Sequence, residues 1–496
     1  MHKKYFSKQV KKKTKKSIGG KTMNNRSKLT VFVLAMMNVA VVMSLRGLPM
    51  MAKEGMSMIF YLLFASVLFL IPVSLVSAEL ATGWPKNGGV YIWVKEAFGS
   101  KLGFTAIWLQ WIQNVIWYPT VLAFAAGALS YLFMDQSLAT NKIFSVAVII
   151  IVYWGATLVN LRGMKSAGWL TTTGVIGGTL IPGVFIIVLG IIWILGGNPL
   201  AFKSVGEAQS FLPNFGNLNS LAFLGGIVLL FAGMEVGAVH VNELKNPKKQ
   251  FPAAIFMAMF IIIGIFTLGS FSIASVLPAN QISLTSGIMQ GLNDFLLKFN
   301  IIWLLPIMGF LVAFGAIGGV TAWIAGPSKG LLATAQEGEL PPFLQKVNKN
   351  GIQVHILLIQ GIIVTLVSLV YLLMPNVSSA FFLLTALTAC LYLFMYILLY
   401  AAAIKLRFSK PEVPRAFKVP GGNIGMCIIA GIGMLAVLFA FIILFFPPSN
   451  LTVGSPLFYT LFIAIGVIVF VSLPIIINHF KKPSWMPKQK TDSITK

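Results

Sequence analysis

The stretch LLFAGMEVGAV, Leu229–Val239, decides how this chain is read. It lies within an apolar run that starts near Ser220, yet an acid, Glu235, stands near the middle between Gly233 and Gly237. In a hydrocarbon medium every backbone polar group needs a partner inside the protein, so glycine and charge together mark a helix that unwinds and offers its main chain to a ligand. A second such place lies five apolar runs earlier, where Ser44, Leu45, Arg46, Gly47, Leu48 and Pro49 interrupt the outer half of the first run. A third, in the eighth run, holds Gly315, Gly318, Gly319, Trp323, Gly326 and Pro327. Interrupted helices in corresponding positions of two halves point to a transporter binding site near the bilayer midplane. The five-run spacing predicts two five-helix repeats of opposite topology, residues 29–195 and 196–404, with two added helices in 405–480.

The rest of the chain fits a membrane solvent. Of 496 residues 57% are hydrophobic and 10% charged, against roughly 25% charged in a soluble domain, which excludes an ordinary water-soluble enzyme. Twelve apolar runs are long enough to cross about 30 Å of hydrocarbon. They cover approximately 29–51, 57–81, 102–133, 143–161, 169–195, 220–239, 253–276, 301–332, 354–373, 380–404, 424–446 and 457–477. An all-α polytopic protein of the cell membrane follows. With the N-terminus inside, the inner loops collect Lys86, Lys95, Lys101, Arg162, Lys165, Lys245, Lys248, Lys249, Lys329, Lys346, Lys349, Lys405, Arg407, Lys410, Arg415 and Lys418, and the outer loops only Lys53, Lys142, Lys203 and Lys298. That asymmetry places both termini in the cytoplasm and accounts for the net charge of +25 without a nucleic-acid partner. The lysine-rich segment 1–28 is expected to be disordered and in contact with water or lipid headgroups, and 481–496 is a short basic cytoplasmic tail. Met23 is an alternative start, and the first run, already long enough to span, is not read as a cleaved signal. Cys390 and Cys427, both in apolar runs, are read as core residues.

Several residues invite a chemical role. Arg46 costs about 2.5–3.5 kcal/mol at a helix centre, so it faces protein or a water-filled pathway; it is a ligand for a carboxylate, or else a snorkelling residue or the static partner of Glu235. Glu79, at the end of the second run, gates the inner mouth or tethers a loop. His240 is read as a gate or a structural hydrogen bonder, since a single histidine without a second at ligand spacing does not make a metal site. Gly174 with Gly178 and Gly315 with Gly319 have the spacing that lets helices approach closely. Among the tryptophans, Trp323 stands out because glycines surround it. No cluster of nucleophiles, paired acids or metal ligands appears at one membrane depth, so neither an enzyme nor a cofactor is expected.

Longer motifs carry a resemblance. Ser77–Ala81 followed by Trp84, Pro85, Gly88, Gly89, Val90 and Tyr91 resembles the second-helix signature of the amino acid, polyamine and organocation (APC) transporter superfamily. FAGMEVGAVHVNELKNPKKQFP (231–252), LPANQISLTSGIMQ (277–290), WIAGPSKGLLATAQEGELP (323–341) and FKVPGG (417–422) resemble its glutamate:GABA antiporter branch. The resemblance implies the leucine-transporter type of fold, an inverted five-helix repeat with broken helices 1 and 6. An amino acid would then bind at Met43, Ser44, Leu45, Arg46 and Gly47, at Phe231, Ala232, Gly233, Met234 and Glu235, and at Trp323. It implies a secondary active transporter, an antiporter by alternating access. The alternatives are proton- or sodium-coupled uptake, with Asn38, Thr171–Thr173 and Thr321 available to a sodium ion, or a sensor on the same scaffold. Three positions differ from the glutamate:GABA exchanger or its proton-coupled relatives: Gly319 and Arg46 stand where that exchanger is acidic, and Thr171–Thr173 where some relatives carry a lysine. The tail after Ile477 is also shorter than the exchanger's inner plug.

Overall fold

A computed structural model of the protein describes residues 29–86, 88–201 and 211–486; the amino-terminal tail, expected to be disordered, and the last ten residues lie outside them. Among the described residues eleven helices are long and apolar enough to span, and a bent pair makes a twelfth. In chain order they are α1 (Val31–Val42 with Leu45–Lys53), α2 (Gly55–Gly83), α3 (Ser100–Leu132), α4 (Lys142–Leu161), α5 (Gly168–Leu195) and α6 (Leu218–Val236). There follow α7 (Pro247–Val276), α8 (Ile302–Glu339), α9 (Val354–Leu373), α10 (Val377–Ser409), α11 (Gly422–Ile443) and α12 (Pro456–His479). Each of the twelve apolar runs coincides with one of these spans, the bounds differing most at the start of α7 and the ends of α8 and α10, where helix continues past the apolar run.

The breaks occur where sequence and mechanics demand them. The first half of α1 opens with Thr30, whose hydroxyl accepts from the Val33 amide at 3.2 Å, and ends at Val42. Met43 and Ser44 are extended, a single tight turn covers Leu45–Gly47, and the second half restarts with Pro49 in its first turn, a position that needs no amide donor. The two halves meet at 51°. In α6 the helix stops at Leu230, and Gly233 takes φ 108° before helix resumes at Met234. A side chain at that φ would be strained.

The spans differ in burial. In α3 and α10, 83% of the membrane window is buried, so these two form the centre, whereas only 17% of α12 is covered. Glycine allows a close contact between two spans: a Cβ on Gly178 would lie 2.2 Å from the Gly315 amide nitrogen, and one on Gly174 would lie 3.0 Å from Gly318. Backbone therefore touches backbone between α5 and α8. Of the two glycine pairs singled out by spacing, Gly174 with Gly178 and Gly315 take part, but Gly319 turns away into open space and Gly318 takes its place.

Glu79 is a tether. Its carboxylate, 1% exposed, accepts from Arg407 Nη1 at 2.6 Å and from the Val419 amide at 2.7 Å, with Arg415 Nε 3.4 Å away. Arg415 also lies over the Trp84 ring at 5.2 Å. The second-helix signature thus fastens the end of α2 to α10 and to the loop before α11.

Candidate functional site

The two breaks face each other across α3, α8 and α10. Arg46, in the turn of α1, is 4% exposed. Its Nη1 donates to Thr120 Oγ1 at 2.8 Å, and its guanidinium lies 5.4 Å from the Trp117 ring centre and 5.8 Å from that of Phe381. Its Nε is buried with no hydrogen-bond partner. A hydroxyl acceptor and aromatic faces surround the cation, but a counter-charge does not: Arg46 belongs to none of the ion pairs among the described residues.

Glu235 is held quite differently. At 2% exposure it accepts from Gln110 Nε2 at 3.0 Å, from the Tyr392 hydroxyl at 2.6 Å and from the Tyr396 hydroxyl at 2.6 Å. Tyr396 in turn accepts the Gly233 amide at 2.9 Å. The amide released by the kink is therefore already satisfied, and the acid locks α6 to α3 and α10. A static Arg46–Glu235 pair, one of the sequence readings, is absent from this arrangement.

Three cavities meet here. One of about 60 Å³ is lined by Ser44, Arg46, Gln113, Asn114, Ala232 and Tyr392 among others. A second, about 90 Å³, takes in Met43, Leu45, Arg46, Thr179, Gly315 and Gly319. The third and largest, about 540 Å³, runs past Gln110, Val236, Gly326 and Gly330 toward the end of the bundle where α1 begins and α8 finishes. Val41 and Trp323 line all three. Trp323 packs edge-on to Trp117 at 6.1 Å, so the two rings stand at the junction.

Of the residues singled out from sequence, Met43, Ser44, Leu45, Arg46, Ala232 and Trp323 line these cavities. Gly47 packs on Leu230, Phe231 is fully buried against Phe266, Gly233 is turned to Tyr396, and Met234 is 1% exposed. His240 bonds to Glu243 at 3.1 Å. The hydroxyls of Thr171, Thr173 and Thr321 bond to helix carbonyls. Gln110, Gln113, Asn114, Thr120, Tyr392 and Tyr396 were not anticipated. The first three carried a signal, since polar residues at i, i+3 and i+4 form one face of an otherwise apolar helix.

An amino acid permease family model matches residues 27–470. The chain belongs to that family. This permease is 43% identical to an uncharacterized transporter of Legionella pneumophila over 453 residues, 91% of this chain and 97% of the relative. It is 34% and 35% identical to glutamate/gamma-aminobutyrate antiporters of Lactococcus lactis subspecies lactis and cremoris, over 458 and 465 residues and at least 90% of each chain. The permease is thus an amino acid transporter of APC type, with the all-helical membrane fold that the sequence motifs led us to expect.

Proposed function

We propose that this permease exchanges amino acids across the cell membrane by alternating access, binding the substrate between the breaks of α1 and α6 with its carboxylate at Arg46. The observation that carries this is the buried guanidinium that faces two cavities with an unpartnered Nε. A buried cation without a counter-charge is costly, and a ligand carboxylate completes it with short, charge-assisted hydrogen bonds. Across the small cavity, the amide oxygens of Gln113 and Asn114 and the hydroxyl oxygen of Tyr392 offer acceptors to the ammonium end. Glutamate and γ-aminobutyrate, the substrates in the relatives' names, both carry a carboxylate and an ammonium group.

The lysine-rich loops assign the end where the large cavity opens to the cytoplasm, together with both termini. The described conformation is then inward-open, and closure would bring the Trp117–Trp323 junction over the bound substrate. The repeats 29–195 and 196–404 are the bodies that rock against each other, with 405–480 outside the pair.

Proteoliposomes test this. Labelled glutamate, γ-aminobutyrate, glutamine, arginine and leucine are offered to vesicles that are empty or loaded with unlabelled amino acid. Exchange predicts entry only into loaded vesicles. Entry into empty vesicles driven by a proton or sodium gradient would replace the exchange reading with uptake, and no saturable flux would leave a non-transporting scaffold.

A further inference from the structure

A fourth cavity, about 300 Å³, lies near the basic end between α3, α8, α9 and α12 and shares no lining residue with the other three. Its wall is entirely apolar and includes Trp108, Trp111, Ile359, Ile363, Ile476 and Trp485. Ile476 and Phe480 are exposed, so the cleft opens on the perimeter of the bundle. A closing turn, Pro483–Trp485, is strapped beneath it. Gln345 Nε2 donates to the Trp485 carbonyl at 2.7 Å, Lys481 pairs with Glu339 at 2.8 Å, and Met486 packs against Gly338, whose φ is 85°.

The charge at the rim is one-sided. Glu337 and Glu339 are taken by Lys95 and Lys481. Lys346, Lys349 and Lys482 are exposed and belong to no ion pair among the described residues. An apolar cleft of this kind gives water no partners, and in a bilayer the surrounding solvent is acyl chain. Basic residues beside an inter-helix pocket at the cytoplasmic face attract anionic headgroups.

We infer that this cleft holds one acyl chain of an anionic phospholipid, with its phosphate at Lys346 and Lys482. The lipid then joins α8, which lines the transport cavities, to α12 and the terminal turn. Trp485 caps the cleft at headgroup level, where amphipathic rings settle.

Native mass spectrometry of the full-length protein, titrated with phosphatidylglycerol or with phosphatidylcholine of the same chains, tests the site. One phosphatidylglycerol should survive activation that strips the others. Leu344→Trp, which fills the cleft, should lose it, and the Lys346→Gln, Lys482→Gln double variant should reduce the preference for phosphatidylglycerol roughly thirtyfold. Unchanged retention in Leu344→Trp with an intact melting midpoint, or a wild type that does not discriminate the two lipids, would overturn the proposal. If Leu344→Trp does not fold, phosphatidylglycerol with brominated chains supplies the readout: it should quench a tryptophan component that is missing in Trp485→Phe, and equal quenching of both proteins counts against the site.

Discussion

Arg46 and Glu235 carry opposite charges on two breaks, and the protein supports them unequally. Glu235 has three donors and needs nothing more, while Arg46 keeps a buried nitrogen idle. Substitutions should separate the two roles. Glu235→Leu strands the Tyr392 and Tyr396 hydroxyls and the Gln110 amide, at about 1–3 kcal/mol for each unsatisfied group, whereas Glu235→Gln keeps one acceptor oxygen and turns an amide donor to a tyrosine hydroxyl that can accept it. The melting midpoint in detergent should therefore fall much further for leucine than for glutamine. Arg46→Gln should leave the midpoint near wild type but raise KM for exchange roughly 10–100-fold, the loss of a charge-assisted hydrogen bond. Arg46→Lys should rescue only part of this, since an ammonium lacks the planar fork. An unchanged KM in Arg46→Gln would remove Arg46 from the substrate's path.

At the scale of elements, the α5–α8 seam makes the sharpest claim. Gly178→Val has no room, since even a Cβ would sit 2.2 Å from Gly315 nitrogen; little monodisperse protein should survive gel filtration. Gly319→Ala, with nothing within 4 Å of its Cβ, should be recovered normally. The sequence displayed the elements because the bilayer fixes their length, and it displayed the breaks because SLRGLP and GMEVG put helix-breaking residues and charge where lipid tolerates neither. It did not display the partners. Tyr392 and Tyr396 reach Glu235 across 157 and 161 residues, and nothing local in α10 distinguishes them from other aromatic core residues. The packing face of α8 was likewise hidden: Gly315 and Gly318 meet α5 while Gly319 turns away, a choice decided by how two helices cross and not by the spacing within either.

For the molecule as a whole, pH enters through Glu54, in the single-residue link between α1 and α2. Burial pushes its carboxyl up from 4.5 to about 7, against the pull of hydrogen bonds from Tyr61 and Asn450 and the charge of Lys53. At this group the folded state binds more protons than the unfolded state between those two values, so the stability that Glu54 contributes is fully present below pH 4.5 and is lost as pH rises to about 7. The melting midpoint should decline across that window and flatten in Glu54→Gln; a slope that persists in the variant would assign it elsewhere. The clamp on Glu79 matters more to stability: Arg407→Met leaves a buried carboxylate short of its closest partner, at a cost of about 3–5 kcal/mol, which should show as a large drop in melting midpoint. That clamp also has a history within each molecule. Glu79 is synthesised 328 residues before Arg407, an interval of roughly 16–65 s at ribosomal speeds. Throughout that wait Glu79 lacks both Arg407 and the Val419 amide, so the end of α2 has neither of the contacts that fasten it in the finished fold. A chain cut short before Arg407 is therefore not a smaller transporter but an open structure for proteases to find.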